Sequence, residues 1–176
     1  RCGVMVRFHG VGGAGDSVDR SVVPLDFVLP KGVRTLVVSG PNAGGKTVVL
    51  KTIGLMVLMS YHGIPLPAGA ESTVPSFDAL WCHIGDEQDV TADLSTFSGA
   101  MAATADLLAE ATEHTLVLHD ELGAGTDPLE GAAIGCAVLE ELSRRKALTV
   151  ATTHLDAIAQ SASGTDGFEN AAMEYD

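Results

Sequence analysis

The run Gly40-Pro41-Asn42-Ala43-Gly44-Gly45-Lys46-Thr47 has the residue types and spacing to hold a triphosphate. It fits G-x-x-x-x-G-K-[ST], in which glycines let the backbone wrap phosphates with its N–H groups turned inward. The helix that must follow adds the positive end of its dipole. Lys46 would reach the β and γ phosphates as a point charge, and Thr47 would offer a hydroxyl to Mg²⁺. An ordinary glycine-rich turn is the alternative, but strand, loop and helix signals here come in the order a phosphate loop needs.

A second chemical feature lies later in the chain. Leu116 to Glu121 reads as a short apolar strand ending in two acids. Asp120 would orient Mg²⁺ through a water, and Glu121 would act as general base on the attacking water. His154 follows the next apolar strand, and the carboxyl ends of parallel strands gather at one edge. Lys46, Glu121 and His154 are therefore expected near one another, with His154 close to the γ-phosphate. Ser95 to Gly99 precedes a helical pattern and suits either an anionic ligand or plain N-capping by Ser95 or Ser98. Spacing alone leaves that choice open.

The elements that must position these groups can be read from periodicity. Residues 1–20 look irregular, and Gly10 to Gly15 reads as a flexible loop because no Lys-Ser/Thr follows it. A strand is expected within 21–29 and a buried one at 35–39. A helix at about 45–61 is apolar nearly all round, which predicts cover on most sides. His62-Gly63, Pro65 and Pro67 stop it. Residues 74–84 read as strand-rich, and a helix is expected near 98–113. The strand before Asp120 leads to a helix at about 128–145, with Asp127 as cap, Pro128 in the first turn and Glu130 completing a capping box. Residues 147–152 form another buried strand. Strands alternating with helices predict a mainly parallel sheet flanked by helices.

Composition narrows the partners. The 176 residues suffice for one core, which is aliphatic because aromatics are only 5%. A net charge of −13 argues against this segment gripping a nucleic-acid backbone alone. Cys2, Cys82 and Cys136 show neither disulfide nor zinc spacing and fit thiols in a reducing compartment. The longest apolar stretch, Thr52 to Tyr61, is too short for a bilayer, and no signal peptide is visible. The chain begins at Arg1 and reads as a piece of a longer protein.

Taken together, Gly40 to Gly54, Ile84 to Gln88, Leu94 to Ser98, Asp120 to Gly131, Ala151 to His154 and Asn170 to Asp176 resemble the MutS family of ABC-type P-loop ATPases. The nearest branch is MutS-two (MutS-Smr), whose longer members carry a C-terminal Smr nuclease domain. The resemblance implies a MutS-type ATPase domain over 21–176, with its last core strands, clamp, lever and any Smr domain outside this fragment. It implies ATP and Mg²⁺ as ligands. Residues Gly40 to Thr47 and Val48 would hold the nucleotide, with Lys46, Glu121 and His154 catalytic and Thr47 and Asp120 on the metal. Val22 and Val23 would pack against adenine, and Ser95 would reach the γ-phosphate of a partner subunit. Gly125, Thr126 and Asp127 resemble the loop that signals between two composite sites of a homodimer. Branched or mismatched DNA, or stalled ribosomes, would be engaged by segments beyond this chain, in the cytoplasm and without a membrane. His119 and Ala100 depart from the family pattern, the first from an apolar residue and the second from a histidine, and both bear on hydrolysis. The rival readings are a nucleotide-gated DNA-binding clamp with little turnover and another ABC-class ATPase subunit.

Overall fold

The computed structural model describes residues 5–7, 25–40, 44–85 and 94–173, with side chains beginning at residue 25 and, in the helix that starts at Leu94, at Ser98. Elements run in the order β1 (Met5–Arg7), β2 (Asp26–Val28), β3 (Thr35–Ser39), α1 (Lys46–Tyr61), β4 (Ala79–His83), α2 (Leu94–Glu110), β5 (Thr115–His119), α3 (Pro128–Arg144), β6 (Leu148–Thr153), α4 (Asp156–Ser163) and β7 (Phe168–Ala172).

Five strands form one parallel sheet in the order β4-β5-β6-β3-β7. The expected α/β architecture is therefore present. The strand that leads to Gly40, β3, lies between β6 and β7, and β6 separates it from β5, the strand that precedes Asp120. Side-chain alternation splits the core into two layers. Leu36, Val38, Leu116, Leu118 and Val150 face α1, together with Phe27 and Leu29. Val37, Val117 and Ala151 face the opposite way, onto Val138, Leu139 and Leu142 of α3 and Ile158 of α4. Each fully buried Leu or Ile contributes about 1.5–3 kcal/mol to this packing.

Close approach of α1 to the sheet depends on Gly54, where an added Cβ would stand 2.9 Å from Leu118 Cδ1. That contact draws α1 toward β5 and so draws the helix start toward the end of that strand. The helix stops as its sequence demands. The His62 N–H returns to the Leu58 carbonyl, and Gly63 takes a left-handed φ of 65°.

Several expectations need correction. Helix α1 is not covered on most sides: Val49, Leu50, Ile53, Met56 and Val57 are buried, but Val48 is 64% and Leu55 55% exposed. Only the stripe at i, i+3 and i+4 spacing meets the sheet, and apolar composition alone does not tell which faces find a neighbour. The first twenty residues are not wholly irregular, because Met5–Arg7 pairs antiparallel with β2. A three-residue strand carries little periodicity, and its hydrogen bonds come from a distant segment. Helix α2 starts at Leu94, so Ser95 and Ser98 lie within its first turns rather than ahead of it. Leu94, Phe97 and Met101 continue the helical period backward. Helix α4 is an addition to the expected elements; it is short, and its buried face is Ile158, Ala159 and Ala162. The loop Gly10 to Gly15 lies outside the described residues.

Candidate nucleotide site

The site is built where β3, β5 and β6 end. Lys46 opens α1 directly after Gly45, whose φ of 81° suits glycine and turns the chain from loop into helix. Helix α1 has no side-chain cap and no acid in its first turn. A helix start of this kind, with its positive dipole end and no carboxylate beside it, suits an anion. Helix α3 provides the contrast. Asp127 accepts from Leu129 N at 2.9 Å and from Glu130 N at 3.4 Å, and Pro128 occupies the first turn. The expected capping box is only half made, because the Glu130 carboxylate accepts from the Thr126 hydroxyl at 3.3 Å.

Lys46 is 2% exposed, and its Nζ donates to the Gly40 carbonyl at 2.5 Å. Thr47 Oγ1 donates to Asp120 Oδ2 at 2.6 Å. The other carboxylate oxygen of the buried Asp120 accepts from Thr152 Oγ1. Thr152 also uses its hydroxyl oxygen to accept the Glu121 N–H at 2.9 Å, and its carbonyl accepts Leu122 N–H at 2.8 Å. The motifs assign Thr152 no role. It is one of three buried threonines in β6, with Thr149 and Thr153, and a buried hydroxyl is costly unless paired, which is the signal that it has a partner.

Glu121 is half-buried with φ 51°, a left-handed backbone that is unusual for a residue with a side chain. His154 lies just past β6 at the same sheet edge and is exposed. Lys46-Thr47 and Asp120 are thus brought together directly, whereas Glu121 and His154 share the edge without a hydrogen bond between them. Ser95 lies in α2, with its side chain outside the described residues, as are Pro41, Asn42, Ala43, Val22 and Val23.

The hydroxyl and carboxylate of Thr47 and Asp120 are hard oxygen donors of the kind Mg²⁺ takes. Because the Thr47 hydroxyl donates its proton to Asp120, its lone pairs remain open to a cation. The donor set therefore fits the expected metal.

His119 lies one residue before Asp120, its ring 4.8 Å from that of His83 on the neighbouring strand. Burial holds the His119 imidazolium down to about 4, with His83 adding to the effect and the hydrogen bond to the Asp120 carbonyl opposing it. Ala100, Met101 and Thr104 of α2 line a hollow beside His83, His119 and Glu121. A separate groove of about 620 Å³, between Leu29 to Arg34 and Thr73 to Phe77, lies at the opposite ends of the strands.

Met173 lies beside Ser39 and Gly44. Its N–H donates to the Ser39 carbonyl at 3.1 Å, and its Cβ would stand 3.1 Å from a Cβ added at Gly44. Among the described residues, no helix is long and apolar enough to cross a membrane.

The family profile described as MutS domain V matches residues 36–176. Relatives are the "Endonuclease MutS2" proteins of Gemmatimonas aurantiaca, 51% identical over 156 residues, and of Clostridium tetani, 48% identical over 155 residues. The alignments cover 89% and 88% of this chain but 19% and 20% of those proteins, so the chain spans about one fifth of their length.

Proposed function

The chain belongs to the MutS family, matching its domain V, and from that premise we propose that residues 21–176 bind ATP with Mg²⁺ and hydrolyse it. The observation that carries this reading is the 2.6 Å bond between Thr47 Oγ1 and Asp120 Oδ2, made beside a buried Lys46 at an uncapped helix start.

In this reading Lys46 exchanges the Gly40 carbonyl for the β and γ phosphates, and the first-turn amides of α1 bind phosphate oxygens. Residues Gly40 to Val48 enclose the triphosphate. Thr47 and Asp120 would hold Mg²⁺, which would supply charge neutralisation at the phosphates. Glu121 accepts a proton from the attacking water. His154 contacts the γ-phosphate. Val22 and Val23 pack against adenine, and Ser95 completes the site of a second copy.

The proposed whole is a MutS-two-branch protein acting as a homodimer on branched or mismatched DNA or on stalled ribosomes. The relatives' printed name and the identity near one half support the branch. The acidic charge of −13 supports placing nucleic-acid contacts elsewhere in the polypeptide. Phosphate release by the full chain tests the reading. Wild type should turn over ATP, and Glu121→Gln should bind ATP without turnover. Equal rates in the two would remove Glu121 as base.

A further inference from the structure

The peptide unit joining Asp120 to Glu121 is held at both ends by side chains. Its N–H donates to Thr152 Oγ1 at 2.9 Å. Its C=O lies 3.1 Å from His119 Nδ1. A carbonyl oxygen can only accept, so Nδ1 carries the hydrogen and donates it. The amide on the other side of Asp120 is fixed too, because Asp120 N–H donates to the His83 carbonyl at 2.8 Å.

The orientation of this plane sets the backbone of Glu121. That residue has φ 51°, a region that β-carbon sterics disfavour and that persists only when neighbouring contacts impose it. Rotating the 120–121 plane would relieve the strain and swing the Glu121 carboxylate away. Thr152 restrains the plane through the N–H from the neighbouring strand, and His119 restrains it through the C=O from within β5. The tilted ring of His83, the register partner of His119, packs at 4.8 Å and limits ring rotation.

We propose that His119 is a positioning residue for Glu121: its Nδ1–H locks the Asp120–Glu121 peptide so that Glu121 keeps the left-handed backbone from which it serves the site. An apolar side chain at 119 would fill the space but leave that carbonyl unheld. The inference rests on the reading of Glu121 as general base for its kinetic consequence, but its structural consequence stands apart.

The test uses the full chain with His119→Leu and His119→Asn, since an asparagine amide places an N–H near the position of Nδ1. Steady-state ATP hydrolysis should show kcat reduced on the order of 10- to 100-fold in His119→Leu. KM should stay close to wild type, and His119→Asn should recover most of the loss. A wild-type kcat in His119→Leu, or equal impairment in both variants, would overturn the proposal. If wild type itself shows no turnover, the proposed function fails, and the structure of His119→Leu decides this inference separately. A 120–121 peptide that rotates, with Glu121 leaving positive φ, supports it, and an unchanged peptide overturns it.

Discussion

Thr47 and Asp120 stand 73 residues apart in sequence and meet through a 2.6 Å hydrogen bond, which ties the first turn of α1 to the end of β5. The bond needs the sheet order, because β5 and β3 are separated only by β6. It also needs the close seating of α1 on Leu118 that Gly54 permits.

Removing the Thr47 hydroxyl tests that link. Thr47→Ala should weaken ATP binding about tenfold or more in the presence of Mg²⁺ and little in its absence, whereas Thr47→Ser should stay near wild type. Calorimetric titrations with and without Mg²⁺ make the comparison. The lost hydrogen bond to the carboxylate alone should lower folding stability by about 1.5–3 kcal/mol.

Glu121→Gln should retain nucleotide binding and lower the hydrolysis rate by roughly 10²- to 10⁴-fold, the usual contribution of a positioned base. Phosphate release under saturating ATP reads the rate, and a binding isotherm verifies that affinity persists. Joint loss of both would assign Glu121 to binding rather than proton transfer.

The half-buried His119 gives a pH signature to the nucleotide-free, metal-free protein. Its folded-state value is lowered from 6.5 to about 4, so the unfolded chain takes up the proton first. Stability is complete above about 6.5 and declines as pH falls toward about 4, by at most about 3 kcal/mol. Denaturant melts of wild type and His119→Asn across that window should diverge toward low pH, with wild type losing more. Parallel curves would show that the histidine does not resist protonation in the fold.

Gly131 packs against the loop that follows Glu121. A Cβ there would stand 2.0 Å from the Gly123 carbonyl oxygen, a backbone atom that cannot turn aside. Gly131→Ala should cost about 2 kcal/mol or more, while Gly164→Ala, with open space around it, should be near neutral. Thermal melts of the two variants provide the measurement.

Much of this arrangement is legible in the sequence, because its strongest signals are local. The strand-to-helix order around Lys46 and Thr47, the acids after an apolar strand and the Asp127-Pro128 helix start each sit within a few residues, and the parallel sheet follows from the alternation of strands and helices. The hidden part depends on distant partners. The pairing of Met5–Arg7 with β2 and the bonding of Thr152 to Asp120 and Glu121 join segments with no shared local pattern. The exposed Val48 and Leu55 show the same limit, since composition marks a residue as apolar without saying what covers it. His119 is readable as a departure, but its carbonyl partner is not.

The most direct measurement is equilibrium binding of ATP with Mg²⁺ to the full chain and to its Lys46→Ala variant. The account predicts saturable, Mg²⁺-dependent binding by wild type and a loss of affinity of roughly 10- to 100-fold in the variant, the usual worth of hydrogen bonds to a charged group. Equal affinity in the two proteins, or no binding by a folded wild type, would contradict it.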